Sequence, residues 1–284
     1  MTICWLFVFL NRCRIFIVFF AVKLGDFFGK MIIGADGSQS VVEKKTIGKH
    51  IDKNHYCAGL RRYYKNVSGF NEGNFIELHF IKKTLPGYVW VFPLPDGEAN
   101  VGIGLLSSKI SKQNLNLKEI FDDVINNHPN FKQRFSKSTA LEEIKGFGLP
   151  LGSMKKKLYG NRFILVGDAA SLIDPFSGEG IANAIRSGRI AANTVLAAHK
   201  NHNFSEKFLE QYSKMLYKSM GLEFKVSHLI QKMCQYPFIL DFVIKRARQS
   251  KRIQNFLNDV MENLLKNQKM SSPLFWLKLI SSKI

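Results

Sequence analysis

The chain has 284 residues, of which 46% are apolar, 12% aromatic and 22% charged. That is enough apolar length for one large or two ordinary domains, and it excludes disordered, collagenous and repeat-tract classes. Lys plus Arg number 41 against 22 Asp plus Glu, a formal net charge of +19 with a pI near 9.8, so an anionic partner is expected: nucleic acid, an acidic lipid surface or a phosphorylated substrate.

Cys4, Cys13, Cys57 and Cys234 contain no CxxC pair. This excludes a disulfide scaffold and a zinc ribbon and fits a reducing, cytoplasmic setting. From residue 3 to residue 22, 17 of 20 residues are apolar, in two runs of eight split by Asn11, Arg12, Cys13 and Arg14. The two runs contribute roughly −5 to −9 kcal/mol on an insertion scale, whereas the central arginines cost about 5 to 7 kcal/mol, so a stable single span is not expected. The charge before the stretch and the small-residue cleavage site after it that a signal peptide needs are both missing. Three readings stand for this segment: a marginal membrane anchor, buried strands, or a non-native start.

A soluble pattern then opens with a short strand over 30–33, leading into the glycine-bounded acidic turn GADGSQS. From 56 to 105 the period is two. Ile76, Leu78 and Phe80 alternate with Phe75, Glu77 and His79; Tyr88, Trp90 and Phe92 with Val89 and Val91; Val101, Ile103 and Leu105 with Gly102 and Gly104. These predict antiparallel strands, with PLPDGE as a turn. Residues 117–127 have helical spacing through Ile120, Phe121 and Val124, and His128 with Pro129 ends that helix.

Residues 162–166 predict a strand ending in Gly167 and Asp168, which delivers a carboxylate where open α/β sheets bind ligands and where sugar or polyol hydroxyls would be accepted. Asp174 and Pro175 turn the chain, and Gly178 and Gly180 let backbone approach a flat ligand before a helix over 178–199. On that helix Ile181, Ala184, Ile185, Gly188, Ala191, Ala192 and Val195 share one face, predicted to pack closely, and its positive end favours negative charge near Gly180. Taken singly, each element is also an ordinary strand-ending turn or helix. After residue 203 the pattern is helical almost to the end, with 14 Lys/Arg against 6 Asp/Glu over 201–284.

Together the two acidic turns resemble the second and third FAD-binding motifs of the flavoprotein hydroxylase superfamily, GADGxxS and GDAAxxxxPxxGxG. Gly34, Asp36, Gly37 and Ser40 match the first; Gly167, Asp168, Pro175, Gly178 and Gly180, with Glu179 between the last two, match the second. The phrase PGYVWVFPLPDGEANVGIG is similar to the geranylgeranyl reductase family, whose YxWxFP motif lines a prenyl-binding cavity. Tyr88, Trp90, Phe92 and Pro93 stand at those positions, and a plain core strand is the alternative.

The resemblance implies an α+β or α/β flavoprotein that reduces carbon–carbon double bonds of an isoprenoid chain, with NADPH or a ferredoxin-like protein as electron donor and peripheral membrane contact. Residues 23–50 and 155–200 would belong to the FAD-binding domain, 51–154 to an antiparallel-sheet substrate domain and 201–284 to a basic helical C-terminal region; 1–22 is left unassigned. The alternatives are an aromatic monooxygenase and a non-catalytic basic membrane-associated relic; no nucleic-acid-binding signature is present.

Two departures stand out. Glu43 occupies the place, three residues after Ser40, where an arginine often stands. Nothing matches the family's GxGxxG, since Gly102-Ile103-Gly104 lies between strands and lacks the third glycine and the helix, so a truncated or frameshifted reading is expected. His199 and His202 are read as solvated, with no metal site, and Cys57 as a small core residue with nothing beside it to lower its pKa. The proton donor to an alkene is not legible.

Overall fold

The computed structural model describes the backbone of residues 7–11, 14–19, 22–251 and 254–255, and the side chains of 29–255 except 247, 252 and 253. Cys4 and Cys13 lie outside the described side chains, and the helix expected towards the C-terminus lies outside the described residues beyond 255. Among the described residues, those up to Ile51 together with Pro150–His228 form one compact unit; Asp52–Leu149 and the residues from Leu229 form a second.

The first unit opens with three antiparallel strands, β1 (Phe7–Asn11), β2 (Arg14–Phe19) and β3 (Val22–Phe28), in the order β1-β2-β3. Asn11 pairs with Arg14, so the polar break in the apolar stretch falls where β1 gives way to β2. Of the three readings of this stretch, strands are what the backbone adopts, as its Phe, Ile and Val content favours. No helix among the described residues is long and apolar enough to cross a membrane. The next strand, β4, spans Ile32–Gly34 and runs into helix α1 (Val41–Thr46).

The second unit is built on a sheet whose strands are β5 (Tyr56–Lys65), β6 (Glu77–His79), β7 (Tyr88–Pro93), β8 (Ala99–Leu106), the short β9 (Thr139–Ala140) and β10 (Lys145–Pro150). Their order is β10-β5-β8-β7-β6, with β9 paired to β5. The strand expected around Phe75 to Phe80 is confined to β6; Phe75 and Ile76 are exposed before it. The β7–β8 turn closes through Leu94 N–H donating to the Glu98 carbonyl at 2.9 Å, with Asp96 and Gly97 at positive φ.

Three helices follow β8: α2 (Ser107–Gln113), α3 (Leu117–Asn127) and α4 (Pro129–Phe135). The side chain of Asn116 caps α3 by accepting from Lys118 and Glu119 N–H. His128 and Pro129 do end α3, but Pro129 also occupies the first turn of α4, where its missing N–H is no loss. One sheet face, with Val89, Val91, Val101, Ile103 and Leu105 fully buried, packs with Phe121, Val124, Phe131 and Phe135 of α3 and α4 into a single core.

The chain returns to the first unit with β11 (Tyr159–Gly160) and β12 (Phe163–Leu165), giving the sheet order β11-β12-β4 with β12 and β4 parallel. Helices α5 (Ile181–Lys200) and α6 (Glu206–Met233) follow, and then α7 (Pro237–Gln249). Leu209, Tyr212, Leu216, Met220 and Phe224 of α6 are buried in the same cluster as Leu158, Ile164 and Leu165, and Tyr212 Oη donates to the Leu165 carbonyl at 2.7 Å. Residues 201–228, read from sequence as the start of a basic helical C-terminal region, group with the first unit, and the apolar face of α6 is what covers β12.

The buried face of α5 is not the one expected. Asn183, Ser187, Ala191, Thr194 and Ala198 are buried, while Ile181 and Ile185 are 78% and 60% exposed. The irregular backbone after β12 leaves amide groups that only polar side chains can satisfy. Gly167 N–H donates to Ser187 Oγ at 3.1 Å, and Asn183 Nδ2 donates to the Leu172 carbonyl at 3.0 Å. Backbone hydrogen bonding, rather than apolar periodicity, sets the rotation of this helix.

Candidate functional site

The first acidic turn lies between β4 and α1. Gly34 is required by packing, because a Cβ there would sit 2.6 Å from Leu165 Cδ2 and 3.0 Å from Val42 Cβ, and Gly37 supplies a positive φ of 75°. Asp36 Oδ1 accepts from Ser40 Oγ at 2.6 Å, and its Oδ2 accepts from Val41 and Val42 N–H at 2.7 and 3.1 Å. Ser40 is buried and caps α1 by accepting from Glu43 N–H at 2.9 Å. The carboxylate of Asp36 thus holds the entry to α1. Glu43 is buried and pairs with Lys156 Nζ at 2.7 Å, so a local ion pair accounts for an acid at this position.

The second acidic turn follows β12. Gly167 has φ 56°, and a Cβ on it would come within 3.2 Å of Ala184 on α5. Asp168 is half-buried, its carboxylate accepts no hydrogen bond among the described residues, and burial pushes its pKa up from the ordinary carboxylate range. A Cβ built on Gly180 would lie 3.2 Å from Ile173 Cγ1 and 3.4 Å from Asp168 Oδ1, so glycine lets the backbone come close to that carboxylate. Gly180 is the N-cap of α5 and provides no side-chain cap. Beside the acid is therefore a helix N-terminus with a positive dipole end.

The other acids of this turn are occupied. Asp174 is buried, and its Oδ1 accepts from Phe176 N–H, Ser177 N–H, Ser177 Oγ and Ser227 Oγ at 2.7 to 3.0 Å. Ser227 comes from α6, a partner that no local motif announces. Glu179, exposed, caps α5 by accepting from Ala182 N–H at 2.7 Å, and Gly178 makes the turn with φ 69°. Pro175 directly follows Asp174.

In the second unit the register places another set of residues opposite the core. Tyr88, Trp90 and Phe92 face Gly104, Gly102 and Asn100 on β8, which in turn face Gly59, Arg61 and Tyr63 on β5. The aromatic rings run along β7 with centroids 6.3 and 6.1 Å apart, and Pro93 ends the strand. A Cβ on Gly102 would collide with Trp90 Cζ2 at 2.1 Å and the Leu60 carbonyl at 2.4 Å, so glycine is what lets the indole lie across β8. Trp90 Nε1 donates to Asn100 Oδ1 at 2.9 Å. These aromatics are half-buried, while Val89 and Val91 on the opposite side are the core residues.

Asn100 and Arg61 belong to this face and were not singled out from sequence; strand register is the only signal that would have found them. Arg61 pairs with Glu142 and lies 4.6 Å from the Tyr63 ring centroid. Burial pushes the Cys57 thiol up to about 12, so it is not a nucleophile at neutral pH. The His199 and His202 rings are 6.2 Å apart, and no cluster of three metal-ligating side chains occurs among the described residues.

Comparison with known proteins completes the picture. The sequence model of the geranylgeranyl reductase catalytic domain matches residues 56–147. A digeranylgeranylglycerophospholipid reductase of Thermoplasma acidophilum is 33% identical over 196 residues, covering 68% of this chain and 48% of that protein. The namesake of Methanocella arvoryzae is 30% identical over 262 residues, covering 88% and 61%. Among solved structures, a geranylgeranyl bacteriochlorophyll reductase-like protein of Thermoplasma acidophilum is 26% identical with a TM-score of 0.66, over 97% of this chain and 65% of that one.

The flavin-dependent brominase Bmp2 has a TM-score of 0.69 at 13% identity, over 96% of this chain and 68% of that one, and shares the fold alone. The chain spans about half the length of the first curated relatives it matches. Acidic turns on a flavoprotein fold, an aromatic strand inside the matched catalytic domain and these relatives agree: the chain belongs to the geranylgeranyl reductase family.

Proposed function

We propose that this chain carries FAD-binding and prenyl-lipid-binding residues of an oxidoreductase that saturates carbon–carbon double bonds in isoprenoid chains. The observation that carries the reading is the half-buried Asp168 carboxylate, without a hydrogen-bond partner among the described residues, which the Gly180 backbone approaches closely at the N-terminus of α5. A carboxylate desolvated without a partner is unfavourable unless a ligand supplies donors. Ribityl or ribose hydroxyls of FAD fit that requirement, and the α5 N-terminus suits a negatively charged ring edge or phosphate.

In this reading Asp168 accepts from the cofactor, while Gly167, Gly178 and Gly180 allow close backbone approach. Asp36, Ser40, Asp174 and Glu179 hold the two turns, with Gly34, Gly37 and Pro175 setting their course. Bound FAD, once reduced by the external electron donor, would supply the hydride for saturation of the alkene, a proton completing the addition. An unactivated alkene has no polar handle, so the half-buried face of Tyr88, Trp90, Phe92 and Pro93 over Gly102 and Gly104 holds the prenyl chain by apolar contact and excludes water. The names of the relatives point to a prenyl phospholipid as the substrate class.

The test is paired. Asp168→Asn should weaken FAD binding by about tenfold. Trp90→Ala should raise KM for a prenyl lipid, or change the chain length accepted, with the flavin spectrum unaltered. Unchanged FAD affinity in folded Asp168→Asn would remove the cofactor assignment. Substrate-dependent oxygen uptake without alkene reduction would favour an aromatic monooxygenase.

A further inference from the structure

Away from both acidic turns, the first unit contains a cleft of about 570 Å³ whose lining is dominated by lysine. Lys155, Lys156 and Lys157 enter from the segment before β11, and Lys214 and Lys218 from successive turns of α6. The walls are tied together by Tyr217: its hydroxyl accepts from Lys156 N–H at 3.2 Å and donates to the Lys156 carbonyl at 3.4 Å. The two backbone segments that carry the lysines are therefore held together by structure.

Three of the five lysines have carboxylate partners. Lys156 pairs with Glu43 and Lys157 with Glu206, each at 2.7 Å, and Lys214 pairs with Glu210 at 3.1 Å. Lys155 and Lys218 have none among the described residues; Lys155 Nζ rests 5.1 Å from the Tyr217 ring centroid. Two exposed lysines without a carboxylate partner thus line one cleft, together with Ser213 and Tyr159. Like charges brought together repel unless an anion joins them.

We infer that this cleft is a binding site for a phosphate ester, with Lys155 and Lys218 as its charge-bearing contacts. A phosphate group accepts from ammonium and hydroxyl donors simultaneously and carries up to two negative charges, matching the two lysines that have no carboxylate partner among the described residues. The volume suits a head-group-sized solute and lies within the usual range of small-molecule sites. The phosphate can come from a lipid head group or from a soluble organophosphate, and the site is independent of the flavin reading.

The full chain is titrated with glycerol phosphate and, separately, floated with phosphatidylcholine vesicles with and without phosphatidylglycerol, both at physiological ionic strength, where general surface attraction is screened. Lys155→Glu combined with Lys218→Glu breaks no ion pair and should weaken glycerol phosphate binding by about tenfold or more. Lys112→Glu combined with Lys132→Glu changes the net charge equally at exposed positions of the second unit and should leave binding within about twofold.

A parallel loss of phosphatidylglycerol-vesicle binding identifies a head group as the source; unaltered vesicle binding identifies a soluble ester. The inference is overturned if the wild-type chain does not bind glycerol phosphate or if both double variants lose affinity alike. Should the charge reversal fail to fold, Lys155→Gln with Lys218→Gln is read by the same criteria, its loss being smaller but still absent from the control.

Discussion

Asp168 and Asp174 stand six residues apart in the same glycine-rich turn, yet their surroundings are opposite. Asp174 is buried and receives four hydrogen bonds on one oxygen, including one from Ser227 on α6. Asp168 receives none among the described residues and lies against the Gly180 backbone at the start of α5. Asp36 in the first turn resembles Asp174, with three donors, and Glu179 has one. An acid whose acceptors are consumed by its own chain holds a turn in shape. An acid left desolvated and unpaired destabilises the fold slightly and is available to a ligand.

This contrast predicts a graded series in thermal or denaturant unfolding. Asp174→Ala, which removes the shared acceptor of Phe176 N–H, Ser177 N–H, Ser177 Oγ and Ser227 Oγ from a buried site, should cost about 3 kcal/mol or more. Asp36→Ala removes the acceptor for Ser40 and for the first N–H groups of α1, and should cost about 2 kcal/mol. Glu179→Ala loses one exposed cap on α5, about 0.5 kcal/mol. Equal losses at Asp174 and Glu179 would show that donor count does not govern these acids.

Asp168→Asn should give the smallest loss in the ligand-free chain, and its sign should depend on pH. Burial raises the folded pKa of Asp168 above its unfolded value, so the wild-type side chain is most compatible with the fold below the unfolded pKa of about 3.9. That compatibility declines as pH rises through the folded pKa. Asparagine does not ionise, so the stability of the variant relative to wild type should rise with pH across that window and then level off. A flat difference between acidic and neutral pH would mean that Asp168 is paired.

The two faces of the sheet in the second unit illustrate how much of this was legible in the chain. Alternation of Val89 and Val91 with Tyr88, Trp90 and Phe92 already divides β7 into an apolar side and an aromatic side. Alternation does not say which side is the core, because both are hydrophobic. Helices α3 and α4 settle it by packing on the valine side. The same limit explains α4 itself: His128 and Pro129 mark the end of one helix, and the start of another depends on Phe131 and Phe135 finding a core.

Local chemistry determined by itself the positions of the two acidic turns, the β7–β8 turn, the span of α3 and the family pattern of glycines and acids, because each rests on neighbouring residues and backbone sterics. Only tertiary structure decided which carboxylate is free, which face of α5 is buried and what partners Glu43. Ser227 lies 53 residues from Asp174, and Lys156 lies 113 residues from Glu43. Hydrogen bonds across such distances follow from packing of α6 on β12 and of the 155–157 segment beside α1, and periodicity along one element carries no information about a donor supplied by another.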